Sequence, residues 1–208
     1  VKGAVRSVSG SHTRLFARLQ PVHPGIEDEI ERLIAIGVET VMLPMFSSLD
    51  ECVRISDCIR DRCELILQVE TREALNGIVS WIDSQKITFS RIYFGFNDLS
   101  ASLGLTVGAP FSAFSYEPFR KVCKELKERR IGFLMGGCGA VDGANMAISP
   151  RILLGQYVGL GAIGSMLSRS FIQHVADCPN TSLRGELKRI KDGLPLHGVK
   201  LISLKVVR

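Results

Sequence analysis

The sequence predicts a parallel α/β fold of the barrel type, and three observations carry that prediction. Short segments that are apolar through their length alternate with amphipathic segments of helical period. The helical segments have legible ends. The apolar segments recur at a nearly constant spacing. The strand candidates are LFARLQ (15–20), ETVMLPM (39–45), ELILQVE (64–70), RIYFGFN (91–97), IGFLMGG (131–137) and YVGLGAI (157–163). Apolar residues on both faces are what parallel strands buried beneath helices require.

The first helix is predicted over 26–36, with Ile26, Ile30, Leu33 and Ile34 on one face. Glu27, Asp28 and Glu29 occupy its first turn, where carboxylates suit the helix dipole, and Gly37 stands just past its end. The second opens at Ser48-Leu-Asp-Glu51, the spacing of a capping box. The third starts at Thr71 and aligns Ala74, Leu75, Ile78 and Ile82. The fourth covers 117–130, with Phe119, Val122, Cys123 and Leu126 inward and Glu117/Lys121 and Glu125/Arg129 as outer pairs four apart. A last helix is predicted at 164–175, burying Met166, Leu167 and Phe171.

Successive strand candidates begin 24–27 residues apart, with one gap of 40 after the fourth. That rhythm means βαβ units with right-handed crossovers, hence either a closed barrel or an open doubly wound sheet. No GxGxxG or P-loop follows any strand, which weakens a nucleotide-binding open sheet. The sequence therefore favours a (β/α)8-type (TIM) barrel, incomplete in this chain. Six strands are evident, LISLKVV (201–207) is a seventh candidate, and no first βα unit is evident. Residues 1–176 form the expected barrel domain and 177–208 a basic C-terminal extension.

Composition narrows the function classes. At 208 residues and 46% hydrophobic the chain suffices for one large core. The net charge of +5 resides in residues 179–208, which hold seven Lys/Arg against Glu186 and Asp192; the rest is neutral. A basic tail of this kind is ordinarily solvated surface, and no aromatic-plus-basic stripe argues for nucleic acid. The six cysteines include no CxxC pair, so they read as reduced thiols, Cys52 and Cys123 in the core and Cys138 in a glycine-rich turn. No apolar run spans a bilayer and VKGAVRSVSG has no signal-peptide core, so the expectation is a soluble cytoplasmic protein without membrane partners.

In parallel βα folds the carboxyl ends of the strands carry the chemistry. LFARLQ places Arg18 and Gln20 on one side, ELILQVE places Gln68 and Glu70 on one side, and RIYFGFND ends in Asn97 and Asp98. Buried charges cost several kcal/mol unless paired or coordinated. Two arrangements answer that cost. Glu70 and Asp98 could hold a hard divalent cation such as Mg2+ or Mn2+, leaving Arg18 to fork a substrate carboxylate and Gln68 to donate to a substrate oxygen. Alternatively Arg18 simply pairs with Glu70 inside the barrel.

Six stretches taken together, RLQPVHPG (18–25), VMLPMF (41–46), LQVET (67–71), GFNDLSASLG (95–104), FLMGG (133–137) and LGAIGSMLSRSF (160–171), resemble the HpcH/HpaI aldolase and citrate lyase beta-subunit family. The resemblance implies a metal-dependent carbon–carbon lyase, a class II aldolase acting on a pyruvate-like 2-oxo acid through its enolate. It implies Glu70 and Asp98 as ligands of Mg2+ or Mn2+, and Arg18 as the group that holds the carboxylate and stabilises the enolate. Gln68 matches the family's glutamine, and backbone around Gly95 and Asn97 lines the carboxylate pocket. The implied partners are a small 2-oxo acid and an aldehyde or acyl-CoA, and the implied assembly is a homotrimer or hexamer.

Departures from the pattern are equally specific. The family's catalytic His comes from an early loop with no counterpart here, which leaves His23, three residues past a strand end, as the candidate base. GGCGAVDG (136–143) lacks the Arg that often follows the family's GG, and LGLTVGAPFSAFSYEP (103–118) reads as a lid or an oligomer contact. Two other readings stay open: an acyl-CoA lyase of the citrate lyase beta type, and a barrel that retains the clamp without catalysis.

Overall fold

The structure, a computed structural model, describes residues 14–105, 110–139, 148, 150–177, 182–192 and 200–202. The chain packs as two compact units that divide between Tyr93 and Phe94.

In the first unit β1 (Phe16–Arg18), β2 (Thr40–Leu43) and β3 (Glu64–Val69) are paired in parallel, in chain order. The register sets Phe16 beside Thr40 and Thr40 beside Glu64, and Arg18 beside Met42 and Met42 beside Ile66. β4 (Arg91–Phe94) follows, approached by the Ser90 N–H donating to the Leu65 carbonyl at 2.7 Å. Between the strands run α1 (Ile26–Ala35), α2 (Leu49–Ile59) and α3 (Arg72–Asp83). Their buried residues, among them Ile26, Ile30, Cys52, Ile55, Ala74, Leu75 and Ile78, are the ones the helical period marks as inward.

The helix ends match their sequence signals. Ser48 and Glu51 form the full capping box at α2, with the Glu51 N–H donating to Ser48 Oγ at 3.3 Å and the Ser48 N–H to Glu51 Oε2 at 3.2 Å. Gly37 adopts φ 85° after α1, a left-handed turn that suits glycine. On the outer surface Arg54 forks Glu27 at 2.6 and 2.9 Å, and Arg62 forks Glu31 at 2.5 and 2.8 Å, tying α1 to α2. These hydrogen bonds hold both carboxyls below their usual range.

The second unit holds α4 (Phe96–Ser102), a 3-10 turn (Pro110–Ser115) and α5 (Glu117–Glu128). β5 (Phe133–Cys138), α6 (Pro150–Leu160), β6 (Gly164–Leu167), α7 (Arg169–Asp177), α8 (Leu183–Asp192) and β7 (Lys200–Ile202) follow. β5, β6 and β7 again pair in parallel and in chain order. Phe96, Phe114, Phe119 and Tyr157 form an aromatic cluster with ring centroids 4.8–6.3 Å apart.

Four expectations are corrected. Residues 157–163 are not a strand: Tyr157–Leu160 end α6, and Gly161, at φ 93°, turns the chain towards β6. α6 is apolar nearly all round, so it lacks the amphipathic stripe that marks a helix in sequence. Residues 164–175 are accordingly strand β6 and then helix α7. The fourth strand stops at Phe94, because Gly95 caps α4 and Asn97 and Asp98 fall in that helix's first turn. Cys138 closes β5 as a buried strand residue and not part of a turn. Of the supposed lid, Phe111 and Phe114 pack on Phe96, while 106–109 lie outside the described residues. The seventh strand is present over Lys200–Ile202; the rest of 201–207 lies outside the described residues. Parallel strands alternating with helices agree with the α/β expectation. Among the described residues no helix is long and apolar enough to cross a membrane.

Candidate active site

The carboxyl ends of β1, β3 and β4 bring four polar side chains together within the first unit. Strand alternation and register decide which ones. Phe16 and Arg18 share a face of β1, and their neighbours in register are Thr40 and Met42 on β2 and Glu64 and Ile66 on β3. Gln68 continues that face two residues on, and Glu70 follows two further, just past the last residue of β3. Arg91 reaches Glu64 at 3.3 Å, which puts Arg91, and two residues on Tyr93, on the same face of β4. Ile92 and Phe94, fully buried, take the other face, where Phe94 packs edge-on against Phe119.

Glu70 is held in place by its neighbours in sequence. Thr71 caps α3: its Oγ1 accepts from the Ala74 N–H at 3.1 Å and donates to the Phe46 carbonyl at 2.7 Å. That double anchor fixes the backbone immediately after the carboxylate. The Gln68 amide Nε2 donates to Glu70 Oε1. Glu70 is only 2% exposed and Gln68 only 5%. A carboxylate so buried needs compensation, and the amide supplies part of it.

Gln68 Oε1 is left over. It is buried and accepts no hydrogen bond among the described residues. Because Nε2 donates one hydrogen to Glu70, the amide orientation is fixed, and Oε1 is left as an acceptor beside the second N–H. Arg18 has neither an ion pair nor a hydrogen bond among the described residues, so the simple Arg18–Glu70 pair is not formed. A buried oxygen without a donor, beside a buried carboxylate, suits a hard cation or a polar ligand; the donor set fits Mg2+ or Mn2+.

Tyr93 completes the group, and sequence reading missed it. Burial first, and then the Glu70 carboxylate, push its phenol well above the usual range, while Arg18 partly offsets the rise. The signal was available: a phenol on the same side of an apolar strand as its charged neighbour Arg91, two residues before a glycine break.

The remaining candidates are Gly95, Asn97, Asp98 and His23. Asn97 and Asp98 are exposed in the first turn of α4, with Gly95 as its cap, in the second unit. His23 accepts the Gly25 N–H at Nδ1 (3.1 Å) and contacts Glu29 Oε2 through Nε2 at 3.1 Å. Both ring nitrogens are thus occupied in holding the turn into α1, where Glu29 also accepts the Gln20 N–H. His23 can take a proton only by giving up one of these contacts. Among the described residues no three His, Cys, Asp or Glu cluster as a metal site.

The sequence profile described as HpcH/HpaI aldolase/citrate lyase matches residues 3–131. The chain belongs to this family. Membership of the HpcH/HpaI family points to an aldolase or lyase enzyme. Solved structures agree on the fold. An HpcH/HpaI aldolase from Desulfitobacterium hafniense DCB-2 superposes with a TM-score of 0.57 at 19% identity, covering 86% of this chain and 78% of that one. An HpcH/HpaI aldolase/citrate lyase family protein from Burkholderia cenocepacia J2315 gives a TM-score of 0.63 at 14% identity, covering 90% and 78%. A search of curated proteins finds no significant match.

Proposed function

We propose that this chain is a divalent-metal-dependent carbon–carbon lyase of the class II aldolase type, forming or cleaving a bond to a pyruvate-like 2-oxo acid. The observation that carries the proposal is the buried Gln68–Glu70 pair, with an acceptor oxygen unsatisfied, on the strand face it shares with an Arg18 that no carboxylate among the described residues engages. A site of this composition is built to receive a ligand with both a cation and an anion.

In the proposal Glu70 and, on the motif match alone, Asp98 hold Mg2+ or Mn2+. When bound, the cation supplies Lewis acidity to polarise the oxo acid's carbonyl. Arg18 grips the carboxylate with its planar fork and offsets negative charge as the enolate develops. Gln68 orients the Glu70 carboxylate through Nε2 and offers Oε1 to a donor on the ligand or an ordered water. Gly95 and Asn97 stay in the proposal as pocket backbone on the motif match. The hydroxyl partner's proton needs a base, a role open to His23 at Nδ1 only once that nitrogen releases the Gly25 N–H.

The proposed partners are a 2-oxo acid with an aldehyde or acyl-CoA and, as assembly, a homotrimer or hexamer. Exposed apolar residues on α6 and α7, such as Ile152 at 62% and Ile172 at 47%, support self-association. The engaged His23 favours one second reading, a site that binds the oxo acid without turning it over. Pyruvate methyl-proton exchange, followed by NMR in deuterated buffer with Mg2+ present, separates the two. The proposal expects protein-dependent exchange that Glu70→Ala and Arg18→Ala abolish; exchange at the buffer rate would leave only the binding role.

A further inference from the structure

We propose that Tyr93 is a substrate-binding residue of this site, its phenol donating a hydrogen bond to an oxygen of the bound 2-oxo acid opposite Arg18. The inference deepens the functional reading above and rests on it.

The placement follows from the sheet. Arg91 and Tyr93 project from one face of β4, and the 3.3 Å contact of Arg91 with Glu64 marks that face as the one carrying Ile66 and Gln68. Tyr93 therefore stands on the same face as the Gln68–Glu70 pair and one step nearer the strand's carboxyl end than Arg91. It lies close enough to both Glu70 and Arg18 for each to influence its phenol.

The chemistry follows from what these groups lack. The Tyr93 side chain is half-buried, and its hydroxyl makes no hydrogen bond among the described residues. Arg18 likewise makes no hydrogen bond or ion pair among the described residues. A half-buried phenol whose O–H has no partner among the described residues, at a strand end, is available to a ligand or water. Phenols titrate near 10, so at neutral pH the hydroxyl is a neutral donor and cannot serve as a resting base. The site thus has one cationic fork at β1 and one neutral donor at β4, with the cation-binding carboxylate and amide between them on β3. A planar dioxo ligand has oxygens enough to meet all of them. Phe94 next door belongs to the opposite face and is fully buried, so the adjacent ring cannot substitute for Tyr93 in this role.

The test is calorimetric titration of oxalate into the Mn2+-loaded chain, wild type against Tyr93→Phe. The loss of one hydrogen bond to a charged oxygen should weaken oxalate about tenfold or more. Mn2+ affinity and melting temperature should stay unchanged, since Phe keeps the ring and removes only the hydroxyl. Oxalate should also produce a tyrosine ultraviolet difference band in the wild type that Tyr93→Phe abolishes, a signature a merely structural residue would not give. Equal oxalate affinity in both proteins, or a band that survives the substitution, overturns the assignment of Tyr93 while leaving the site reading intact. A wild type that binds no oxalate overturns both.

Discussion

The two ends of the strands of the first unit carry similar inventories of polar residues and treat them in opposite ways. At the amino ends Arg14 pairs with Glu64 at 2.9 Å, Arg91 reaches the same carboxylate at 3.3 Å, and Glu39 accepts the Leu15 N–H at 3.2 Å. Those groups are partly exposed and satisfied by each other. At the carboxyl ends Glu70 and Gln68 are buried, and among the described residues Gln68 Oε1 lacks a donor and Arg18 and the Tyr93 hydroxyl make no hydrogen bond or ion pair. The amino end uses its charges within the fold, and on the proposed reading the carboxyl end holds its polar groups for a ligand. In βα barrels that asymmetry separates stability from catalysis.

The comparison can be broken most sharply at Glu70. Replacing it with Ala should eliminate Mn2+-dependent stabilisation altogether, seen as a melting temperature no longer raised by the metal. If the metal still protects the variant, the carboxylate is not its ligand. Arg18→Ala should come next. With no hydrogen bond or ion pair among the described residues and an exposed side chain, it should leave stability within about 0.5 kcal/mol. It should nevertheless weaken oxalate by about 1.5–3 kcal/mol in titrations. A large fall in stability instead would mean that Arg18 belongs to the fold after all.

The amino end should give the mirror image. Glu64→Gln removes two partly exposed ion pairs and should cost only about 0.2–1 kcal/mol per pair by denaturant unfolding. Oxalate affinity should not change; an equal loss there would erase the distinction between the ends. Ser48→Ala, which removes the cap of α2, should cost about 1 kcal/mol with the same indifference to ligand. The smallest effect concerns the thiols. Burial pushes Cys52, Cys123 and Cys138 up to about 12, so almost none is thiolate at neutral pH. Raised pKa and burial both disfavour attack, so alkylation followed by peptide mapping should label Cys58 and Cys63, half-buried, ahead of these three.

Much of the fold was legible because local signals agreed with tertiary demands. The capping box at Ser48, the Thr71 cap and the apolar stripes of α1, α3 and α5 all name their elements from neighbouring residues alone. Reading failed where the local signal was absent or ambiguous. α6, apolar on most sides, has no stripe to distinguish it from a buried strand, and that error displaced β6 and α7 in turn. RIYFGFND conceals a strand-to-helix switch at Gly95, which moved Asn97 and Asp98 off the strand. At the site, alternation put Gln68 and Glu70 on one side, which their hydrogen bond agrees with. It could not show that the Gln68 amide would turn its donor to Glu70, nor that Tyr93 would face the same space, since both depend on pairing between strands distant in sequence. His23 looked free in sequence because Gly25 and Glu29, which occupy its nitrogens, are ordinary helix-start residues.

The central claim is that the carboxyl ends of these strands hold a metal and an enolate-like anion together. Thermal unfolding of the full chain with Mn2+, with oxalate, and with both tests it most directly. The account predicts that the two ligands together raise the melting temperature by more than the sum of their separate effects. No stabilisation by either, or strictly independent effects of the two, would contradict it.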